Sequence, residues 1–100
     1  MFDHGFSSYI ANEKRYSAHT LRAYESDLQQ FFDFAQTADE NFNPLKGDHE
    51  LIREWIVFLL DNGDKPRSIN RKLTTLHTYY KYLMREGLVS DNPTKKIIRP

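Results

Sequence analysis

The stretch Pro66 to Glu86, PRSINRKLTTLHTYYKYLMRE, sets apolar side chains at Ile69, Leu73, Leu76, Tyr80 and Leu83. Steps of four and three residues are the period of a helix with one buried face. The other face carries Arg67, Arg71, Thr74, Thr75, Thr78, Lys81 and Arg85. Pro66 suits the first helical position, where a missing N–H costs nothing. Gly87 suits the position past the end, with Leu88 folding back on Leu83 as in a Schellman cap. Such a rod must bury its stripe against partners, and its small polar and basic face suits a groove in nucleic acid.

The partners are also helical. No segment alternates apolar and polar residues over a strand's length with flanking turn residues. A first helix is expected from about Phe2 to Lys14, with Phe6, Tyr9 and Ile10 inward and a start weakened by Gly5. The second has Ser17 as N-cap, and Tyr16 with Leu21 as a hydrophobic staple. Leu21, Tyr24, Leu28, Phe31, Phe32 and Ala35 form its buried face, and it should end near Gln36 or Thr37. A polar loop from Ala38 to Gly47 contains the turn marker Asn43-Pro44, with Phe42 and Leu45 tucked beneath. The third helix opens at Asp48, buries Leu51, Ile52, Trp55, Ile56, Leu59 and Leu60, and stops at Asn62-Gly63. As the most apolar segment, it is expected at the centre of the core. The fold class is therefore all-α, a bundle of four main helices. Asn92-Pro93 breaks the chain again, and the tail can begin a short fifth helix.

One hundred residues, 39% of them hydrophobic, suffice for one modest core. There is no cysteine, which removes disulfides and thiolate metal sites. No signal-like apolar run opens the chain, and nothing approaches the roughly 20 apolar residues of a membrane span. The expectation is a soluble, cytoplasmic protein without a membrane partner. The net charge of zero hides segregation: residues 1–50 hold four Lys and Arg against nine Asp and Glu, and residues 51–100 hold ten against five. A polyanion partner would therefore use the last third, although the same pattern also fits a merely solvated basic helix.

Little here could carry catalysis. His4, His19, His49 and His77 lack metal-ligand spacing, and Gly5, Gly47, Gly63 and Gly87 are isolated, so no phosphate loop exists. Asp61 and Asp64 read as helix-exit polarity. No catalytic residue, metal site, cofactor or small-molecule ligand is expected. Binding is different. Arg67 and Arg71 lie one turn apart, Lys72 flanks them, and arginine bonds phosphate or a guanine edge bidentately. Short hydroxyl side chains such as Thr75 let a helix backbone approach DNA closely. At the start of the second helix, His19, Thr20 and Arg22 sit beside a positive helix end that attracts phosphate.

These residues resemble a known family. SAHTLRAYESDLQQFFDFAQ, Ser17 to Gln36, is similar to the Ser-x-x-Thr-x-x-x-Tyr-x-x-Asp-Leu-x-x-Phe-x-x-Phe signature of tyrosine recombinases, the phage integrase and Xer-type enzymes. Ser17, Thr20, Tyr24, Asp27, Leu28, Phe31 and Phe34 fall in register. KPRSINRKLTTLHTYYKYLMREGLVSDNP, Lys65 to Pro93, resembles the family's second signature through Ser68, Ile69, Asn70, Arg71, Leu73, Leu76, Tyr79, Tyr80, Tyr82, Leu83, Gly87, Asn92 and Pro93. Lys65 stands where many relatives have a Ser or Thr cap, and His77 where many have arginine.

The resemblance implies a SAM-like core-binding domain over residues 1–93, an orthogonal bundle of the four main helices, and a linker over 94–100 toward a catalytic domain beyond Pro100. It implies a site-specific recombinase whose second and fourth helices clamp duplex DNA, with other recombinase protomers as partners on that DNA. The DNA-contacting set expected from residues and resemblance together is His19, Thr20, Arg22, Lys65, Arg67, Ser68, Arg71, Lys72 and Thr75. Two other readings remain. A helical protein–protein module would pair its basic face with an acidic patch. A helix-turn-helix repressor would need two helices joined by a turn of 3–4 residues, whereas the second and third are about ten apart.

Overall fold

A computed structural model describes residues 3–100. Four helices form in order: α1 (Phe6–Asn12), α2 (Ala18–Ala38), α3 (His49–Asp61) and α4 (Pro66–Arg85). Short 3-10 turns lie at Pro44–Lys46 and Pro93–Lys96, and no strand occurs among the described residues. The fold is all-α. The expected start of the first helix at Phe2 falls outside the described residues, and the helix observed begins at Phe6 and ends at Asn12.

The helix ends follow local chemistry. Ser17 Oγ accepts from the Thr20 N–H at 3.1 Å, and Asp48 Oδ1 accepts from the Leu51 N–H at 3.0 Å. Each satisfies one of the amide groups that a helix start leaves without a partner. Tyr16 and Leu21, flanking the first cap, both pack against the core. At the end of α4, Gly87 takes φ 72, and the Leu88 N–H reaches the Leu83 carbonyl at 2.9 Å. That is the Schellman closure, and it needs a residue tolerant of the left-handed region.

The core is aromatic and centred on α4, not on α3. Ile69, Leu73, Leu76, Tyr79, Tyr80, Tyr82 and Leu83 are all buried. Phe6 meets Tyr79 edge-on at 5.4 Å, Phe32 meets Tyr79 at 5.7 Å, and Phe31 meets Trp55 at 5.1 Å. Such edge-to-face pairs each add about 0.5–1.5 kcal/mol beyond area burial. Helix α3 buries Ile52, Trp55, Ile56 and Leu59 but leaves Val57, Phe58 and Leu60 exposed. Leu60, expected inside, is thus at the surface. Mean hydropathy ranks α3 first, but burial follows the number of packed sides, and α4 is enclosed by α2, α3 and the tail.

Beyond Pro93 the chain does not leave the bundle. Asn92, 1% exposed, accepts through Oδ1 from the Thr94 N–H at 3.0 Å and hydroxyl at 2.6 Å. Its Nδ2 donates to the His77 carbonyl at 3.3 Å, and Thr94 Oγ1 lies 3.0 Å from His77 Nδ1. Further on, Arg99 Nη1 donates to the Asn70 carbonyl at 2.9 Å and to Thr74 Oγ1 at 3.1 Å. Residues 92–99 therefore run along α4 as a strap.

Candidate nucleic-acid interface

Helices α2 and α4 cross through polar contacts as well as core. The Asp27 carboxylate, only 2% exposed, sits on the flank of the α2 apolar stripe, three residues from Tyr24 and one from Leu28. Its Oδ2 accepts from Thr75 Oγ1 and from Arg71 Nη1, each at 2.9 Å. Burial raises the Asp27 pKa above the usual carboxylate value, and the Thr75 hydroxyl and the Arg71 and Lys72 charges pull it back without winning. One turn earlier in α2, Tyr24 lies beside Thr78 of α4.

These contacts define an exposed strip on α4. At 100° per residue, Arg67, Arg71, Thr74, Thr78, Lys81 and Arg85 share one face. The face is bounded on one side by α2, through Asp27, and on the other by the strap, through Arg99 and Thr94. Arg71 is exposed, its Nη1 held by a carboxylate that solvent does not reach. Arg67 and Lys81 are exposed and make no ion pair among the described residues. Arg85 is committed elsewhere, to Glu13 at 3.0 Å and to the face of Tyr9 at 5.0 Å.

Of the nine residues expected in the interface, the structure sorts seven to the surface and two inside. His19, Arg22, Lys65, Arg67 and Arg71 are exposed, and Thr20 and Ser68 are half-exposed. Thr75 is fully buried, its hydroxyl spent on Asp27, because α2 packs over that flank of α4. Lys72 is buried as well, with Nζ 2.6 Å from Asp64 Oδ2. Both hold the bundle together and present no surface to a ligand. The remaining threonines donate backward, Thr74 to the Asn70 carbonyl at 3.0 Å and Thr78 to the Thr74 carbonyl at 2.9 Å. They contribute a low profile rather than free donors.

The two helix starts are not side by side. Residues of α2 meet α4 in descending order, Tyr24 with Thr78 and Asp27 with Thr75 and Arg71. The α2 start, with His19, Thr20 and Arg22, therefore lies toward the Thr78–Lys81 end, where Lys14 and Tyr16 line a shared cleft with both. Arg67 lies about 16 Å further along the α4 axis, by the rise per residue. The surface is one elongated basic strip. The α4 start is bare: Lys65 makes no side-chain cap, and no acidic residue occupies the first turn of either α2 or α4.

Reading by residue type missed Asp27 as an organising group and missed the strap. The signal for Asp27 was present, a carboxylate on an apolar stripe with no charge partner within its own helix. Among the described residues no group of three or more His, Asp or Glu side chains is placed to hold a metal ion, and no helix is long and apolar enough to cross a membrane.

Comparison with known proteins agrees with this architecture. The family described as phage integrase, N-terminal SAM-like domain, matches residues 4–87. The tyrosine recombinase XerC of Thermodesulfovibrio yellowstonii is 36% identical over 92 residues, covering 92% of this chain and 29% of that protein. XerC of Leptospira interrogans is 36% identical over 96 residues, and XerD of Listeria monocytogenes is 30% identical over 95. The Leptospira match covers 95% of this chain and 30% of that protein, and the Listeria match 95% and 32%. The chain thus spans about a third of the length of these curated relatives. No solved structure matches it. Two signatures in order, an all-helical bundle and a match over most of its length place this chain in the phage integrase N-terminal SAM-like domain family, as an N-terminal domain of the Xer-like tyrosine recombinase type.

Proposed function

We propose that this chain is the DNA-binding, core-binding domain of a site-specific tyrosine recombinase. It holds one face of duplex DNA along the strip formed by α4 and the start of α2. The observation that carries the reading is the Asp27–Arg71 pair. A carboxylate buried between two helices fixes an arginine whose outer donors still face solvent. A guanidinium anchored on one side loses less side-chain entropy when it meets a phosphate or a guanine edge on the other.

Arg67, Lys65, Arg22 and Lys81 supply further charge along the strip, and the uncapped start of α4 adds backbone N–H groups to it. Thr74 and Thr78 keep the surface low enough for the backbone of α4 to approach. The catalytic residues implied by the family, and the neighbouring protomers, lie outside this chain. The relatives named as recombinases support DNA as the partner, and the charge pattern supports this face.

The test is a fluorescence-anisotropy titration with a DNA duplex at several salt concentrations. If about four phosphates are neutralised, log affinity should fall against log salt with a slope near −3.6. Replacing Arg67 with Glu and Arg71 with Ala together should abolish binding with helicity retained. Binding unchanged by that pair would remove the assignment of this face.

A further inference from the structure

We infer that the strap, residues 92–99, is itself part of the DNA-contacting surface. Its Arg99 is held beside Thr74 as a second anchored guanidinium opposite Arg71. The inference rests on the proposed DNA-binding function and adds an element to it.

Three observations on different residues converge. First, Arg99 is placed, not free: one nitrogen, Nη1, bonds both the Asn70 carbonyl and the Thr74 hydroxyl. A guanidinium has five N–H donors, so those on the other nitrogens remain for a ligand. Second, Arg99 and Arg71 border the same exposed strip from opposite sides. Arg71 is anchored by α2 and Arg99 by α4 itself, with Thr74 between them. Two forks flanking a short side chain make a seat for an anion. Third, no ion pair offsets the positive charge there among the described residues. Arg99, Lys81 and Lys95 all bear on His77, and none of the three has a carboxylate partner among the described residues. Lys95 and Arg99 come from the strap, Lys81 from α4.

What holds the strap in place is a polar latch. Asn92 and Thr94 are buried against α4, bonded to each other and to His77. A chain segment docked this way delivers its cations at fixed positions, whereas a loose basic tail would only raise the local charge. The latch and Arg99 should therefore act as one unit on DNA affinity.

The experiment uses the chain with a fluorescein-labelled random-sequence DNA duplex, in anisotropy titrations across salt. Arg99→Gln should weaken binding roughly ten-fold, the equivalent of one charge-assisted contact, and make the log–log salt slope shallower by about 0.9. Thr94→Val, which opens the latch without changing charge, should produce a comparable loss. The double variant should lose little more than either single one, as expected for coupled residues. Circular dichroism on each variant checks that helicity is kept, and Lys95→Gln provides a second charge removal on the strap. If the unaltered chain binds and Arg99→Gln leaves affinity and slope unchanged, the inference is overturned while the DNA-binding reading stands. If Arg99→Gln weakens binding but Thr94→Val does not, the tail acts loosely and the docked strap is refuted. If the unaltered chain does not bind duplex DNA at all, the reading beneath the inference fails and takes it down.

Discussion

Asp27 and Arg71 meet at 2.9 Å across 44 residues of sequence, the carboxylate 2% exposed and the guanidinium side chain 51% exposed. The same carboxylate oxygen holds the buried Thr75 hydroxyl. One side chain of α2 thus fixes two of α4 and turns one of them outward. Under the proposed function, structure and DNA binding would be tied at this atom.

Removing that atom should cost both. Asp27→Ala leaves the Thr75 hydroxyl buried without its carboxylate partner, a penalty of about 1–3 kcal/mol. The Arg71 half of the pair adds little, because that guanidinium is solvated. For a domain of this size each kcal/mol lowers Tm by about 4–8 °C. Thermal melts should show that drop, and duplex affinity measured well below Tm should fall too, since Arg71 loses its anchor. Asp27→Asn keeps an acceptor for Thr75 and should melt closer to the unaltered chain. Equal stability of Asp27→Ala and the parent would contradict the account.

Tyr80 and Gly47 make a close approach that tolerates no added atom. The buried Tyr80 hydroxyl donates to the Pro44 carbonyl at 3.0 Å. A Cβ at Gly47 would overlap that hydroxyl and press on the same carbonyl. Gly47 has an ordinary φ of −65, so the requirement is for space, not for conformation. Gly47→Ala should therefore destabilise by about 1–3 kcal/mol, the range for overpacking. Tyr80→Phe alone should cost about 1 kcal/mol for the lost hydrogen bond. In the double variant the penalties should be less than additive, because the phenylalanine removes the atom that the alanine strikes. Chemical denaturation of the four proteins checks this, and strict additivity would refute it.

The latch should make stability depend on pH through His77. Burial, with Arg99, Lys81 and Lys95 nearby, lowers its pKa below the ordinary 6.5. Between the folded and unfolded values the unfolded chain then binds more protons, so stability rises with pH in that window. The contribution is complete above about pH 6.5 and is lost as pH falls toward the folded value. Asp27 has the opposite sign. Its pKa is raised above 3.8, so its ionisation costs stability as pH rises through that more acidic window. His77→Gln should remove the first effect only. Its Tm relative to the parent should rise between about pH 7.5 and 5. A constant difference over that interval would count against a depressed His77 pKa in the folded chain.

Helix boundaries and the apolar stripes were readable because they depend on local periodicity and cap chemistry. Ser17, Asp48, Pro66 and Gly87 sit where their side chains or backbones demand. The polar face was only half readable. A helical wheel assigns Thr75 to the outside, but which flank another helix covers depends on how α2 crosses, and that is tertiary. Lys72 sits toward the buried half of the wheel and escapes solvation only because Asp64, eight residues back, supplies a partner. The separation of the two helix starts is likewise set by the crossing, not by either sequence. The strap was least readable, since Asn92-Pro93 marks a break without saying where the chain goes next.

The distinction between buried and outward cations gives a last test of the interface. Lys72 and Arg67 both carry one positive charge near the start of α4, so they contribute alike to any argument from net charge. Lys72 is paired to Asp64 and enclosed, and Arg67 is exposed without an ion pair among the described residues. Lys72→Met should leave the salt slope of duplex binding unchanged, although it exposes Asp64 to the loss of its partner and lowers Tm. Arg67→Gln should leave stability within about 0.5 kcal/mol of the parent, as for an exposed site, while making the slope shallower by about 0.9. Anisotropy titrations paired with melts separate the two. If Lys72→Met reduced the slope as much as Arg67→Gln, binding would follow net charge alone, and the strip would lose its meaning as a surface.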